Sequence, residues 1–309
     1  MSSEITTAFV KQYKDLLFHL SQQRGSVLRG AVRIEMQKGS EAFYERLGKV
    51  TAVEKVSRHS DTPLIDTPHS RRRVTLTDYE YADLIDSQDK IRTLIEPESP
   101  YLMAQVMAHG RAIDSKIIAQ ALGNAYSGVD GSTAVALPNS QKIASVASTA
   151  GANLNVQALR RAKKILDAND VDAMIPRYCA INASALENLL SETQVSSSDF
   201  NTVKALVQGE LDTFLGFKFI RTELLTARSG ALSFNTTTGA VGSGSGDADT
   251  YKQMICWAQD GLMLSLGKDI QTKITERADK SYAKQVYSCM SIGATRLEEE
   301  KVVSILCAQ

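Results

Sequence analysis

The chain has 309 residues, 43% of them hydrophobic, enough apolar material for the core of one elaborated fold or two modest domains. Thirty-five basic residues balance thirty-five acidic ones, which excludes overall charge as a driving force toward polyanions or membranes and leaves room only for a local charged face. No apolar run approaches the roughly 20 residues that span a bilayer, and MSSEITTAFVKQYKD lacks the basic-then-apolar order of a signal peptide, so the expectation is a cytoplasmic protein with no membrane partner. Cys179, Cys256, Cys289 and Cys307 form no C-x-x-C pair and lie in apolar segments, which reads as reduced core thiols. The N-x-S/T matches at Asn182 and Asn235 are then chance.

In chain order, Ile5, Phe9, Tyr13, Leu16, Leu17 and Leu20 recur every three to four residues and predict a short helix over 4–22, ended by Arg24-Gly25, whose apolar stripe needs a cover. GSVLRGAVRIEMQKGSEAFYERLG is less periodic and reads as an arm lying on other parts of the structure. KVTAVEKVSR alternates as a strand does, SDTPLIDTPHS carries two prolines and turn formers, and RRRVTLTDYEYADLI returns with β-branched and aromatic residues. That is a long hairpin with an irregular tip, too poor in large apolar residues to form its own core; such a ribbon rests on a neighbour.

A long helix follows. Ser99 is placed to cap it, Pro100 opens it, Leu102, Val106, Ile113, Ile117 and Ala121 form its stripe, and Gly123 stops it. A Gly/Ser/Ala-rich loop over 127–153 leads to Asn155, which can cap VQALRRAKKILDAND, and then to a short strand, MIPRYCAIN. Ser184 and Glu187 have the spacing of a capping box for SALENLLSE; Asp199 or a neighbouring serine starts a helix in FNTVKALVQGEL, and LGFKFIRTELL completes a strand. Residues 228–249 are rich in Gly, Ser and Thr and read as a mobile loop, after which YKQMICWAQDGLMLSLG resumes apolar structure. DIQTKITERADKSYAKQVYSCMSIGATR and KVVSILCAQ read as the strands of a closing sheet, so strands early and late surround a helical middle: an α+β class with the chain ends paired near each other.

The search for reaction chemistry finds little. His19, His59, His69 and His109 have no partner at metal-ligand spacing, and His109 reads as a packed or surface helical residue without a role. GSGSGD at 242–247 lacks the lysine of a P-loop, and Asp83, Asp86 and Asp89 have neither the glycine nor the glutamate of an EF-hand. No serine or cysteine sits in a nucleophile motif. We therefore expect no enzyme, no cofactor and no metal. Arg71, Arg72 and Arg73 remain, a basic triplet at the foot of the return strand. They are either a solvated strand start or guanidinium groups that bridge to carboxylates on an adjacent subunit, and because side chains along a strand alternate, all three cannot serve one interface.

The order arm, long hairpin, long helix, α/β region and closing strands resembles the major capsid proteins of tailed bacteriophages. The wording RRRVTLTDYEYADLIDSQDKIR, EPESPYLMAQVMAHGRAIDSKIIAQALGNAYSG, VQALRRAKKILDANDVDAMIPRYCAINASALENLL and VQGELDTFLGFKFIRTELL is similar to a podophage-type branch of that family, over most of the chain from about residue 20. The resemblance implies an N-terminal arm over 1–48, a hairpin (E-loop) over 49–77, and a spine helix with part of a peripheral domain over 78–169. It further implies an axial domain over 170–265 and closing peripheral strands over 266–309. Phe9, Tyr13 and Leu17 on the arm, with Arg71, Arg72 and Arg73, would then touch neighbouring copies. It also implies self-assembly into hexamers and pentamers of an icosahedral head around double-stranded DNA, held by weak non-specific contact, with a separate scaffolding protein and a portal protein at one vertex. An encapsulin-like compartment shell is the alternative of the same fold class.

Overall fold

The computed structural model describes residues 21–59, 61–62, 64–85, 98–147, 150–151, 153–192, 213–228, 232–234, 241–243 and 251–308. In chain order its strands and helices are β1 (Arg33–Met36), β2 (Glu41–Leu47), β3 (His69–Thr75), β4 (Thr77–Ile85), α1 (Glu98–Leu122), β5 (Ala125–Ser127), β6 (Thr133–Val135), β7 (Lys142–Ala144), β8 (Val146–Ala147) and β9 (Ala150–Gly151). There follow α2 (Val156–Ala168), β10 (Arg177–Ile181), α3 (Ala183–Ser191), β11 (Thr213–Phe214), β12 (Phe217–Arg221), β13 (Ala227–Arg228), β14 (Leu232–Phe234) and β15 (Val241–Ser243). The chain closes with β16 (Tyr251–Ala258), β17 (Leu262–Arg277), β18 (Ala283–Arg296) and β19 (Val302–Ala308). The class is α+β, as the pattern predicted. The helix expected over 4–22 and the one expected in FNTVKALVQGEL lie outside the described residues.

The chain divides into two units, one from residues 27–77, 112–267 and 292–309, the other from the described parts of 1–26, 78–111 and 268–291; the chain passes from one to the other within α1, β17 and β18.

The larger unit is built on a sheet of order β11-β12-β10-β16-β19-β7, with β13 also on β16. β16 (YKQMICWA) and β19 (VVSILCA) are near-continuous apolar runs, and such strands are stable only where both faces are covered. Both are central, paired antiparallel from Tyr251↔Ala308 to Trp257↔Val302. Helix α2 lies against β19 and β7 and buries Val156, Ala158, Leu159, Ala162 and Leu166. It starts at Asn155 because the Asn155 side chain accepts the Ala158 N–H at 2.8 Å, the cap expected from sequence. α3 is capped differently from the expectation: Asn182, not Ser184, accepts the Ala185 N–H at 3.0 Å, and Ser184 lies inside the helix, where its hydroxyl accepts from Asn153 at 2.8 Å. A capping box and an asparagine cap two residues upstream compete for the same turn, and the buried asparagine wins. β10 and β12 run parallel, as the crossover carrying α3 requires. β11 and β12 meet at Leu215-Gly216, both at positive φ (52° and 85°), the backbone shape of a tight two-residue hairpin turn.

β19, from the segment expected as closing strands, lies between β16 and β7 in this sheet. The early strand β1 does pair with the late strand β17, parallel, at Arg33↔Met263 through Met36↔Leu266. The indole N–H of buried Trp257 donates to the Ala31 carbonyl at 2.8 Å, fixing the approach to β1. In the segment expected to be a mobile loop, β14 and β15 pair as a short hairpin.

In the smaller unit, α1 begins at Glu98, one residue before the expected cap. On this part of α1, Gln105 donates to the Val286 carbonyl at 3.1 Å and His109 Nε2 meets Ser288 Oγ at 2.9 Å, both side chains buried. Gly110 is a glycine for a reason of space: a Cβ there would fall 2.6 Å from the Gly25 Cα. The whole helix, 25 residues, runs about 37 Å; at its far end the Gly123 N–H donates to Ala119 O at 2.8 Å.

Candidate functional site at the foot of the hairpin

The hairpin's strands are not those the alternation suggested. KVTAVEKVSR is irregular, and the ribbon is β2 against β3, antiparallel from Glu41↔Thr75 to Leu47↔His69, so the first strand falls in what the sequence marked as arm. Alternation without a partner strand to hydrogen-bond does not make a strand, whereas EAFYERL has β3 beside it. β3 is held on its other edge by β5, which pairs with β6. Between Leu47 and His69 the described chain has no regular structure and is mostly exposed. Val50, Val53, Val56, Leu64 and Ile65 all face solvent there, Val56 at 93% and Leu64 at 98% exposure.

The arginine triplet splits by strand alternation. Arg71 turns outward and donates through Nε and Nη2 to Glu45, its cross-strand neighbour, at 3.1 and 2.9 Å. Arg73 reaches Glu41 at 3.4 Å and stacks over the Tyr126 ring, 5.3 Å from its centroid. Arg72 turns inward and is 1% exposed. Its Nη2 donates to Glu299 Oε1 and its Nε to the Leu297 carbonyl at 3.3 Å. The expectation of an intersubunit role is therefore corrected for Arg72: a guanidinium enclosed by its own chain holds the hairpin foot and is not free to bridge to a neighbour.

Glu299 is the centre of this cluster. Arg46 approaches it at 3.6 Å and donates to the Leu297 carbonyl at 2.5 Å; Arg296, fully buried, lies 3.7 Å away and donates to the carbonyls of Ala121, Gly123 and Val135 at 2.9, 2.9 and 3.0 Å. Burial lowers the guanidinium pKa of both Arg72 and Arg296, with Glu299 opposing the shift. Three arginines thus share one carboxylate, and backbone carbonyls supply part of the compensation that buried charge demands, while Arg46 Nε, Arg72 Nη1 and Arg296 Nε are buried without a hydrogen bond among the described residues. The sequence reading missed Glu299 and Arg296; the only signal was a charged run, TRLEEEK, wedged between two apolar strands. Beside the cluster lies a cleft of about 550 Å³ whose lining includes Arg46, Lys49, Gln141, Glu298 and Glu300.

The other residues singled out from sequence do not gather. Phe9, Tyr13, Leu17 and His19 lie outside the described residues; His59 and His69 are exposed, and His109 is packed. All four cysteines are free and buried; Cys179 and Cys256 face each other across β10 and β16 with sulfurs 3.2 Å apart, and burial pushes the Cys256 and Cys307 thiols up. Among the described residues, no group of three or more His, Cys, Asp or Glu side chains could hold a metal ion, and no helix is long and apolar enough to cross a membrane.

The family model for phage capsid protein matches residues 5–309. The chain belongs to the phage capsid protein family. The fold agrees: the capsid of cyanophage P-SCSP1u superposes with a TM-score of 0.72 at 16% identity, over 100% of this chain and 96% of that one. The acid-stable capsid of Helicobacter pylori bacteriophage KHP30 gives 0.71 at 9% identity over 100% and 98%, and a chain of Mycobacterium phage Che8 gives 0.69 at 14% over 96% and 96%. A comparison with curated protein sequences yields no match. This capsid protein is a structural subunit of a virion shell, and its work is self-association. Membership of the phage family favours a phage head over an encapsulin-like compartment.

Proposed function

We propose that this subunit assembles as hexamers and pentamers into an icosahedral head around double-stranded DNA, and that the hairpin is its principal reach onto a neighbouring copy. The observation that carries the reading is the loop between β2 and β3, which presents Val50, Val53, Val56, Leu64 and Ile65 to water while its foot is pinned by buried ionic contacts. Full burial of a valine or leucine is worth about 1.5–3 kcal/mol, so exposed apolar residues on a firmly anchored ribbon represent stabilisation that only a partner can realise. A heterologous contact of this kind closes into rings. In this reading Arg71, exposed, and Arg73, half-buried, trade their intrachain carboxylates for those of the neighbour; Phe9, Tyr13 and Leu17 on the arm make the second such contact. The spine is 98–122, residues near 170–265 face the capsomer centres, and a scaffolding protein and a portal protein join during assembly in the host cytoplasm.

The test replaces Val56 and Leu64 together with aspartate. Both side chains are almost wholly exposed, so the subunit should keep its stability within about 0.5 kcal/mol. Electron microscopy should show shells from the parent protein and none, or only open fragments, from the variant; normal shells from the variant would remove the hairpin loop from the assembly contact.

A further inference from the structure

Helix α2 has two faces of different character. Its apolar stripe is buried against β19 and β7, whereas Arg160, Lys163 and Lys164 lie on the other side, with Arg160 and Lys164 exposed. At i, i+3 and i+4 these side chains are neighbours on the helix surface, with Cβ atoms about 5–6 Å apart. Among the described residues none of the three has an acidic partner. The acid closest along the helix, Asp167, is engaged by Arg177 at 2.6 Å. Some other exposed cations are neutralised locally: Arg71 by Glu45 at 2.9 Å, Lys49 by Asp170 at 3.1 Å and Arg277 by Asp279 at 2.6 Å. The three free cations border a groove of about 490 Å³, completed by Asp167, Ala168 and Leu215. Its far wall is the tight β11–β12 turn; a Cβ at Gly216 would stand 4.0 Å from Lys163 Nζ.

We propose that this face of α2 binds the phosphate backbone of double-stranded DNA without reading its sequence, a proposal that rests on the shell reading above. Charge complementarity selects the occupant: three cations on long stems, none in an ion pair among the described residues, border a groove whose one acid, Asp167, is held by Arg177. Lysine is a mobile point charge suited to phosphate, and contacts to phosphate position a duplex without carrying sequence information. Each neutralised phosphate contributes about −0.9 to the slope of log K against log salt, so three contacts give about −2.7, or about a 40-fold loss of affinity between about 50 and 200 mM salt.

The experiment measures fluorescence anisotropy of two unrelated labelled duplexes with the full-length, unassembled subunit across that salt range. It compares the parent, the triple variant R160Q/K163Q/K164Q and the charge-preserving K163R/K164R. The expected result is equal binding of both duplexes by the parent, loss of about 2.7 from the slope in the triple variant, and retention in the arginine variant. The buried stripe is untouched, so circular dichroism should show unchanged helix content. An unchanged slope in the triple variant, or no duplex binding by the parent at about 50 mM salt, overturns the proposal. So does binding of polyglutamate, but not of duplex, through the same three residues, which would assign the face to an acidic protein. Electron microscopy of the same preparations separates the two readings: absence of shells from the parent removes the shell reading, whereas shells with unaltered DNA binding by the triple variant remove this proposal alone.

Discussion

Replacing Glu299 with glutamine should unfold more of this protein than any other single polar change at the hairpin foot. The side chain keeps its shape and loses its charge, leaving Arg72, Arg46 and Arg296 without the carboxylate that serves all three. Arg72 and Arg296 are buried to 1% and 0% exposure, and stripping the counter-charge from a buried pair is worth about 3–5 kcal/mol. That is a large share of the roughly 5–15 kcal/mol that holds a domain together. Removing Arg72 instead, as R72M, leaves Glu299 paired with Arg46 and Arg296 and relieves repulsion among the arginines, so its effect should be smaller, about 1–2 kcal/mol. The assay is urea unfolding followed by the fluorescence of Trp257, the only tryptophan and a buried member of the same unit. If E299Q shifts the unfolding free energy by less than about 1 kcal/mol, or if R72M equals or exceeds it, the carboxylate is not the keystone of the cluster.

Burial holds the His109 pKa below its ordinary value of 6.5, against the opposing hydrogen bond from Ser288. The unfolded chain therefore takes up this proton first, and the stability present above pH 6.5 is lost as pH falls through the folded-state value. The H109Q variant should show a flatter dependence of unfolding midpoint on acid pH, and an identical profile would assign that dependence to other groups. Gly110→Ala should favour the isolated helix by about 1 kcal/mol, yet the added methyl collides with the Gly25 backbone. We expect faster protease cleavage near residues 22–28, and unchanged cleavage would mean that this contact is dispensable. A water-soluble thiol reagent should leave Cys179, Cys256 and Cys307 unmodified in the native subunit and label all four cysteines in denaturant; rapid native labelling of any of the three would contradict their burial. Alanine at both Arg71 and Arg73 should weaken assembly with little effect on subunit stability, because both ion pairs are at least partly exposed; normal shell yield at raised salt would leave these two as ordinary surface residues.

Local signals in the chain were enough to determine several elements. Proline and glycine bracket the spine helix, Asn155 caps α2, and the short run KVVSILC, rich in β-branched residues, reads as a strand. The likeness to tailed-phage capsid proteins was likewise legible in the order of elements, and strand alternation alone showed that the three arginines could not act together. Tertiary structure decided what those signals leave degenerate. The alternating segment 49–58 is not a strand because no described strand pairs with it, whereas EAFYERL is one because β3 lies alongside. Asn182 displaced Ser184 as a cap because its side chain is buried at that turn. β19 was placed between β16 and β7, inside one sheet, because its side chains needed cover on both faces. Above all, which of Arg71, Arg72 and Arg73 turns inward depends on Glu299, more than two hundred residues away in the chain. A carboxylate supplied at that separation by folding leaves no mark in the local pattern, and the groove beside α2 came into view only when the turn at Leu215-Gly216 was brought against Lys163.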